Sequence, residues 1–466
     1  MSKNGLPRKP LTKRRLKNLI LNVLKNPFNM VVLVSLIILF CLIIIPLLTM
    51  ISSTFTLAQG ELRRVQGHVG DFTLYYWKYI LTGKLASAVL WGPLKNSFIC
   101  GFFTVLVSVP LGSVLAWLMI RTDLPGKKIL GLLVTVPYMI PSWTKALAWL
   151  AMFRNSTSGA NGFLAGLGIP VPDWLAYGPI AIVLCMSMHY YAFSYIMVSG
   201  ALRSINSELE EMGEIQGASK AQILRHITLP LILPSVLSAT VMTISKSIGT
   251  YGVPANLGNR IGYYTLATKM RTFIDQGPQA VGYAMSIVLV LLAALIIFSN
   301  QRIVGVRKSY ATVSGKGGRA TLMQLGKAKK PLMVFLMVFL FLAMVVPFFV
   351  LIMETFQITT GAGYGLDNLT LYNWIGKEGE IDKYTNYVGI FRNTIRLTLI
   401  ASILTAICGQ FLGYISSRGR GKWYGDLTEQ MVFVPYLMSG IAFSTMYFSM
   451  FSRPHLGGLM PSLYGT

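Results

Sequence analysis

Four glutamates fall within seven positions of the stretch SINSELEEMGEIQGASKAQILRHITLPLILP, residues 204–234: Glu208, Glu210, Glu211 and Glu214. The whole chain holds 16 acidic residues against 41 Lys and Arg. Ionised carboxylates form charge-assisted hydrogen bonds with basic side chains or backbone N–H groups. No pattern in the chain points to catalytic use: GxxxxGK[ST], HExxH and GxSxG are absent, and GKGGRA at 315–320 lacks the phosphate-loop spacing. A second set of chemistry-bearing residues lies inside apolar runs: Lys246 in SATVMTISKSIGTYG, Lys145 in IPSWTKALAW, and His189 and Tyr190 in HYYAFSY. An ionisable group at the centre of a membrane helix costs about 2.5–3.5 kcal/mol on insertion scales. Such a group often faces a cavity or a partner. These four residues are therefore candidates for lining a polar path; snorkelling lysines and packed aromatics are the plainer alternatives. Asn96 and Asn393 recur near the ends of two apolar runs, as path residues or as a polar helix–helix contact.

Those residues need a membrane-spanning scaffold. The chain has 466 residues, 53% hydrophobic and 12% charged, with a mean hydropathy of +0.58. A soluble domain carries about 25% charged residues. A span takes roughly 20 helical residues. Nine apolar runs meet that length, near 29–51, 94–120, 129–153, 178–202, 228–249, 280–300, 331–353, 389–416 and 427–451. The expected fold is an all-α polytopic membrane protein.

A net charge of +25 raises the possibility of nucleic-acid binding. The positive-inside rule accounts for it instead. With the N-terminus in the cytoplasm, the inside segments hold 25 Lys and Arg and the outside segments hold 10. Residues 1–28 read as a basic cytoplasmic segment before an uncleaved first span, with room for an amphipathic helix on the membrane surface. The four cysteines, Cys41, Cys100, Cys185 and Cys408, lie singly in apolar runs and read as small buried hydrophobes.

The chain also repeats itself. Asn96 falls on Asn393, Gly112 on Gly409 and Arg121 on Arg418, each 297 residues apart. Val136-Pro137-Tyr138 recurs at Val434-Pro435-Tyr436, and TLYYW at Thr73 recurs as TLYNW at Thr370. Pro46 and Thr54-Phe55 match Pro347 and Thr355-Phe356. The expected organisation is a first six-span repeat at 29–300, a cytoplasmic linker at 301–330 and a second repeat at 331–466 with three spans. The repeats run parallel, because each begins inside. A complete second copy would need about 130 further residues, so the sequence leaves open a fragment or a truncated product.

Within 204–234, Ser207 and Glu210 fit a capping box opening a helix at about 208–215, and Gly217 can stop it. A second helix from about Ser219 to His226 comes next, and Thr228-Leu229-Pro230 leads into the next span. The spacing Glu211, five residues, Gly217, nine residues, Ile227-x-Leu229-Pro230 resembles the EAA motif of ABC importer permeases. The motif's two alanines are Met212 and Gly213 here. NSF…GSVLAWLMIRTDLPGKK…VPYMIPSWTKALAWL and TYGVPANLG resemble the fused two-copy permeases of iron(III), 2-aminoethylphosphonate and polyamine importers.

That resemblance implies a type I ABC-importer permease fold, duplicated in tandem, in the bacterial cytoplasmic membrane. It implies a conduit that is not itself an enzyme and binds no cofactor. ATP and Mg would be used by a separate cytoplasmic ATPase dimer, and an extracytoplasmic binding protein would deliver cargo. Glu210, Glu211, Gly213, Gly217, Ala218, Ile227, Leu229 and Pro230 would form the ATPase-coupling element. The cargo would be iron(III), a phosphonate or another small solute. A secondary transporter built from repeats is the alternative, but it leaves the EAA spacing unexplained. A membrane-embedded enzyme has no motif in its favour.

Overall fold

The computed structural model describes residues 27–62, 64–205, 208–305, 322–375, 386–437 and 440–451. The basic N-terminal segment and most of the linker, residues 306–321, lie outside them. The described residues are helical apart from turns and three isolated β-bridges. The chain divides into two compact units, Met1–Met50, Val388–Tyr436 and Met450–Thr466 in one, Ile51–Tyr387 and Leu437–Ser449 in the other.

Seven helices, not nine, are long and apolar enough to cross a membrane among the described residues. The run at 129–153 is two helices, Lys127–Met139 and Ser142–Phe153. Pro141 is the reason: it forces the preceding residue out of the helical region, and Ile140 sits at φ −79°, ψ 130°. Of the run at 427–451, Trp423–Leu437 and Gly440–Phe451 are described as helices, and residues 438–439 between them lie outside the described residues.

We number the main helices α1 (Pro27–Ser53), α2 (Tyr75–Leu81), α3 (Ser87–Arg121), α4 (Lys127–Met139), α5 (Ser142–Phe153), α6 (Pro179–Ser204), α7 (Glu208–Ile215), α8 (Lys220–Gly249), α9 (Leu266–Gln276), α10 (Gln279–Gly305), α11 (Gly326–Glu354), α12 (Tyr387–Arg418), α13 (Trp423–Leu437) and α14 (Gly440–Phe451). Four of them contain a π-turn: Phe40–Ile44, Ser87–Trp91, Leu224–Thr228 and Phe341–Val345. In each, a proline is the second residue beyond the turn: Pro46, Pro93, Pro230 and Pro347. Proline lacks an N–H and its ring collides with the carbonyl four residues back. A widened turn relieves both problems without ending the helix.

In the larger unit, α3 and α6 form the central pair. Gly112 permits their approach: a Cβ there would lie 2.3 Å from the Tyr191 carbonyl oxygen. Leu115, Met119, Tyr191, Tyr195 and Leu202 form a core that α11 completes with Leu336 and Leu340. A second core joins α2, α9 and α10 through Tyr76, Met270, Val281 and Met285.

Helix α11 is fastened to the first half of the chain at both ends. At one end Met323 N–H donates to the Arg121 carbonyl (2.8 Å) and Asp123 N–H to the Met323 carbonyl (3.1 Å), a parallel bridge. The Asp123 carboxylate accepts from Leu325 N–H (3.0 Å) and from the Lys329 ammonium (2.9 Å). The Leu325 N–H, then Lys329, hold the Asp123 carboxyl below the usual range. At the far end Arg154 pairs with Glu354 at 2.7 Å.

One local arrangement occurs twice. Thr56 bridges Phe72, and Gln357 bridges Leu369. Trp77 donates to the Thr54 hydroxyl (3.1 Å) and stacks on Phe55, as Trp374 donates to Thr355 (2.8 Å) and stacks on Phe356. In the smaller unit, Phe28 of α1 lies against the rings of Tyr414 and Tyr424, and Leu39 and Ile43 pack with Met431. Cys100 and Cys185 are buried, but Cys41 and Cys408 stand on exposed helix faces, contrary to the expectation that all four are buried. A lone thiol on an apolar helix tolerates a lipid-facing position as readily as a packed one.

Candidate functional site

Helix α7 spans Glu208–Ile215, with Glu208, Glu210 and Glu211 in its first turn, where the helix dipole favours negative charge. Its end is a Schellman motif. Ala218 N–H donates to the Gly213 carbonyl (3.0 Å), Gly217 N–H donates to the Glu214 carbonyl (2.9 Å), and Gly217 takes φ +82°. A residue with a Cβ would be strained there. Beyond Ala218 the next helix is capped at once. Ser219 Oγ accepts from Gln222 N–H, and Gln222 Oε1 accepts from Ser219 N–H at 2.8 Å, a complete capping box.

The second helix does not stop at His226 as the sequence suggests. It continues through the π-turn at Leu224–Thr228 into α8 as one helix from Lys220 to Gly249. Pro230 therefore sits inside a continuous rod, tolerated by the widened turn before it. The two helices are locked together at Gly213, which is buried. A Cβ on Gly213 would lie 3.1 Å from Ile227 Cδ1 and 3.2 Å from Ile223 Cγ1. This contact explains the small residue at that place and gives Ile227 its partner. Leu229 is half exposed at 46%.

Glu210 has partners beyond its own helix. Ser207 lies outside the described residues, and the Glu210 carboxylate turns toward the protein. It lies 3.3 Å from Arg121 Nη1 and accepts from the Thr228 hydroxyl at 2.7 Å. Arg121 is 3% exposed and donates through Nη2 to the carbonyls of Leu202 (3.0 Å) and Ile205 (3.4 Å). This long-range ion pair neutralises a buried guanidinium. Glu211 and Glu214 line a small cleft beside Arg121, Lys220 and Met323. Met212 and Ile215 project outward, 57% and 85% exposed. The result is a short rigid helix with apolar and acidic groups on its outer side.

The path candidates do not meet in one place. Lys145 and His189 do come together, with Nζ 3.1 Å from Nδ1 and 3.4 Å from the Met188 carbonyl. Lys145 also lines an apolar cavity of about 370 Å³ between α5, α6 and α11. Tyr190 is buried and its hydroxyl lies 2.6 Å from that of Thr250, which donates to the Lys246 carbonyl. Lys246 is half-buried on α8. Asn96 reaches the chain before α9 and donates to the Tyr264 carbonyl at 2.9 Å. Asn393 is exposed on α12, in the smaller unit. TYGVPANLG forms a helical turn, Gly252–Leu257, with Val253, Pro254 and Leu257 buried. It packs on the start of α5, where a Cβ on Gly252 would lie 2.7 Å from the Trp143 Cβ.

Sequence reasoning misses Arg121, Thr228 and the Arg154–Glu354 pair as working residues. The recurrence of Arg121 at Arg418 is the one signal that points to the first of them.

Residues 108–309 match the family model described as binding-protein-dependent transport system inner membrane component. The chain is 27% identical over 180 residues to a probable sulfate transport system permease protein of Marchantia polymorpha, covering 38% of this chain and 59% of that one. It is 25% identical over 227 residues to the sulfate transport system permease protein of Salmonella typhimurium, covering 48% and 78%. It is 28% identical over 232 residues to a putative 2-aminoethylphosphonate transport system permease protein of the same species, covering 50% and 80%. Two solved structures are similar. One is a bacterial ABC transporter involved in import of the acidic polysaccharide alginate, with TM-score 0.45, 18% identity and coverage of 64% and 98%. The other is the inward-facing MetNI methionine ABC transporter, with TM-score 0.36, 23% identity and coverage of 48% and 95%. Over residues 108–309 this chain is thus similar to binding-protein-dependent transport system inner membrane components.

Proposed function

We propose that this chain is the conduit of an ABC importer and that α7 is where ATP hydrolysis in separate cytoplasmic ATPase subunits is coupled to it. The observation that carries the reading is the architecture of residues 208–230. An exposed helix bearing Glu211, Met212 and Ile215 is seated on buried Gly213 and fixed to a membrane helix without a flexible joint. A coupling element must be rigid, so that a displacement at its tip moves helices instead of bending a loop. Glu211 supplies charge-assisted contacts to the partner, and Met212 and Ile215 supply the apolar ones.

The charge bias orients the N-terminus and α7 to the cytoplasm, with binding-protein docking on the opposite face. The tandem landmarks, including the paired π-turns and the paired Trp–Thr contacts, support two copies of one permease unit in this chain. For cargo we favour a small oxyanion. Relatives carry the names of sulfate and 2-aminoethylphosphonate transport, Lys145 lines the cavity between α5, α6 and α11, and Lys246 lies within the membrane helix α8. A ferric complex is the other anionic cargo the sequence allows.

The test is reconstitution in liposomes with ATPase and binding protein. Glu211→Lys and Gly217→Val should reach the membrane yet assemble poorly or hydrolyse ATP without transport. Normal substrate-stimulated hydrolysis in both variants sinks the assignment. Titration of the binding protein with sulfate and with 2-aminoethylphosphonate decides the cargo.

A further inference from the structure

Two adjacent glutamates on α7, Glu210 and Glu211, line the cleft beside a buried arginine of another helix, and Glu210 closes an ion pair with it. The Arg121 and Glu210 side chains are 4% and 14% exposed, so water and salt screen their pair little. The guanidinium uses a second nitrogen for the carbonyls of Leu202 and Ile205, at the end of α6. The other carboxylate oxygen of Glu210 takes the Thr228 hydroxyl, in the π-turn of α8. The Arg121 carbonyl in turn receives Met323 N–H, from the segment that opens α11. Arg121 and Glu210 together thus join the ends of α3 and α6, the first turn of α7, the π-turn of α8 and the segment before α11. Arginine suits this post because its planar fork reaches acceptors on two elements at once, which a lysine ammonium on a single stem does poorly.

We infer that Arg121 is the positioning residue that makes α3 and α6 move with α7, and that Glu210 is its strut, which leaves the docking contact to Glu211. The inference rests on the coupling role proposed for α7. It assigns the two neighbouring glutamates separate tasks: removing Glu211 weakens docking, and removing the Arg121–Glu210 link leaves docking intact but wastes ATP.

Two measurements test this. The first uses the chain alone in lipid nanodiscs and reads hydrogen exchange of the Glu208–Ile215 amides. Arg121→Gln should speed their exchange about tenfold or more while α10 amides keep their protection. Arg121→Lys, which retains a charge for Glu210, should fall between the two. The second uses the full assembly with binding protein and ATPase, with sulfate and 2-aminoethylphosphonate as probes. Arg121→Gln should keep the ATPase bound while transport per ATP falls about fivefold, within the range that coupling-network substitutions produce.

Unchanged exchange in α7 together with an unchanged transport-to-ATP ratio overturns the inference. So does a parallel fall in transport and hydrolysis with a uniform loss of protection, which is the signature of a purely structural residue. If Arg121→Gln does not fold, Arg121→Lys and Thr228→Val decide, and unaltered ratios in both overturn it. A wild-type chain that binds no ATPase refutes the importer coupling reading itself, and the exchange measurement on the isolated chain then judges the strut separately.

Discussion

Helices α3 and α12 carry the same three landmarks in the same register, yet their surroundings differ. Asn96, Gly112 and Arg121 of α3 are all engaged: with the Tyr264 carbonyl, with the Tyr191 backbone, and with Glu210. Asn393, Gly409 and Arg418 of α12 stand on a surface. Nothing lies within 4 Å of a Cβ built on Gly409, and Arg418 rests over the Phe28 ring at 4.7 Å. Equal residues at equal positions thus hold unequal energies. What a landmark residue contributes is set by the helix laid against it, so a repeat in sequence predicts a repeat in stability only where the neighbours are repeated too.

Paired substitutions sharpen or break this contrast, and thermal unfolding in detergent measures the first three pairs. The largest difference is expected at the arginines. Arg121→Ala leaves Glu210 without its counter-ion in a shielded place, a loss of about 3–5 kcal/mol for a buried pair. Arg418→Ala removes ring contacts and a hydrogen bond to the Tyr414 hydroxyl at an exposed site and should cost less than about 1 kcal/mol. Equal losses would show that burial is not what separates the two helices. Next come the glycines: Gly112→Ala forces α3 and α6 apart at about 1–3 kcal/mol, and Gly409→Ala is neutral or slightly stabilising. Asn96→Ala should lose about 1 kcal/mol with its hydrogen bond to Tyr264, and Asn393→Ala should lose nothing measurable.

The smallest effect concerns pH at the junction between Asp123 and Leu325. The Asp123 carboxyl has its folded-state pKa lowered by the Leu325 N–H and Lys329. Its contribution is therefore complete above the unfolded value of about 4 and fades as pH falls through the lower folded value. Intrinsic-rate-corrected hydrogen exchange at Leu325 should rise on acidification to pH about 3, and Asp123→Asn should remove that dependence.

Much of the fold comes from local chemistry and is therefore legible in the sequence. The limits of α7 match the expected 208–215 because Gly217 must take a left-handed conformation and Ser219 caps the next helix. The need for a small residue at Gly213 is visible only once Ile223 and Ile227 are seen to close over it. The divided run at 129–153 escapes a reading by average hydropathy: Pro141 contributes little to an apolar mean but ends the helix before it. The role of Glu210 is illegible for another reason. Ser207 offers a local partner, and nothing in the spacing says that Arg121, far away in the chain, arrives at the same point. Likewise the packing of α11 against Tyr191 and Met119 cannot be read from α11's own apolar run, which would suit any neighbour.

The π-turn at Leu224–Thr228 has a further geometric consequence. One residue of helix corresponds to a rotation of about 100° about the axis. A π-turn holds one residue more than an α-turn needs, so it sets the angular phase between the helix before it and the helix after it. In α8 the turn and the residue before it touch Gly213, through Ile227 and Ile223, and the part after it carries Lys246. Deleting one residue there would wind the turn tight and swing Lys246 by roughly a quarter of a revolution relative to Ile223. The wide turn is thus a dial as well as a relief for Pro230: it fixes which face of the membrane helix each residue shows.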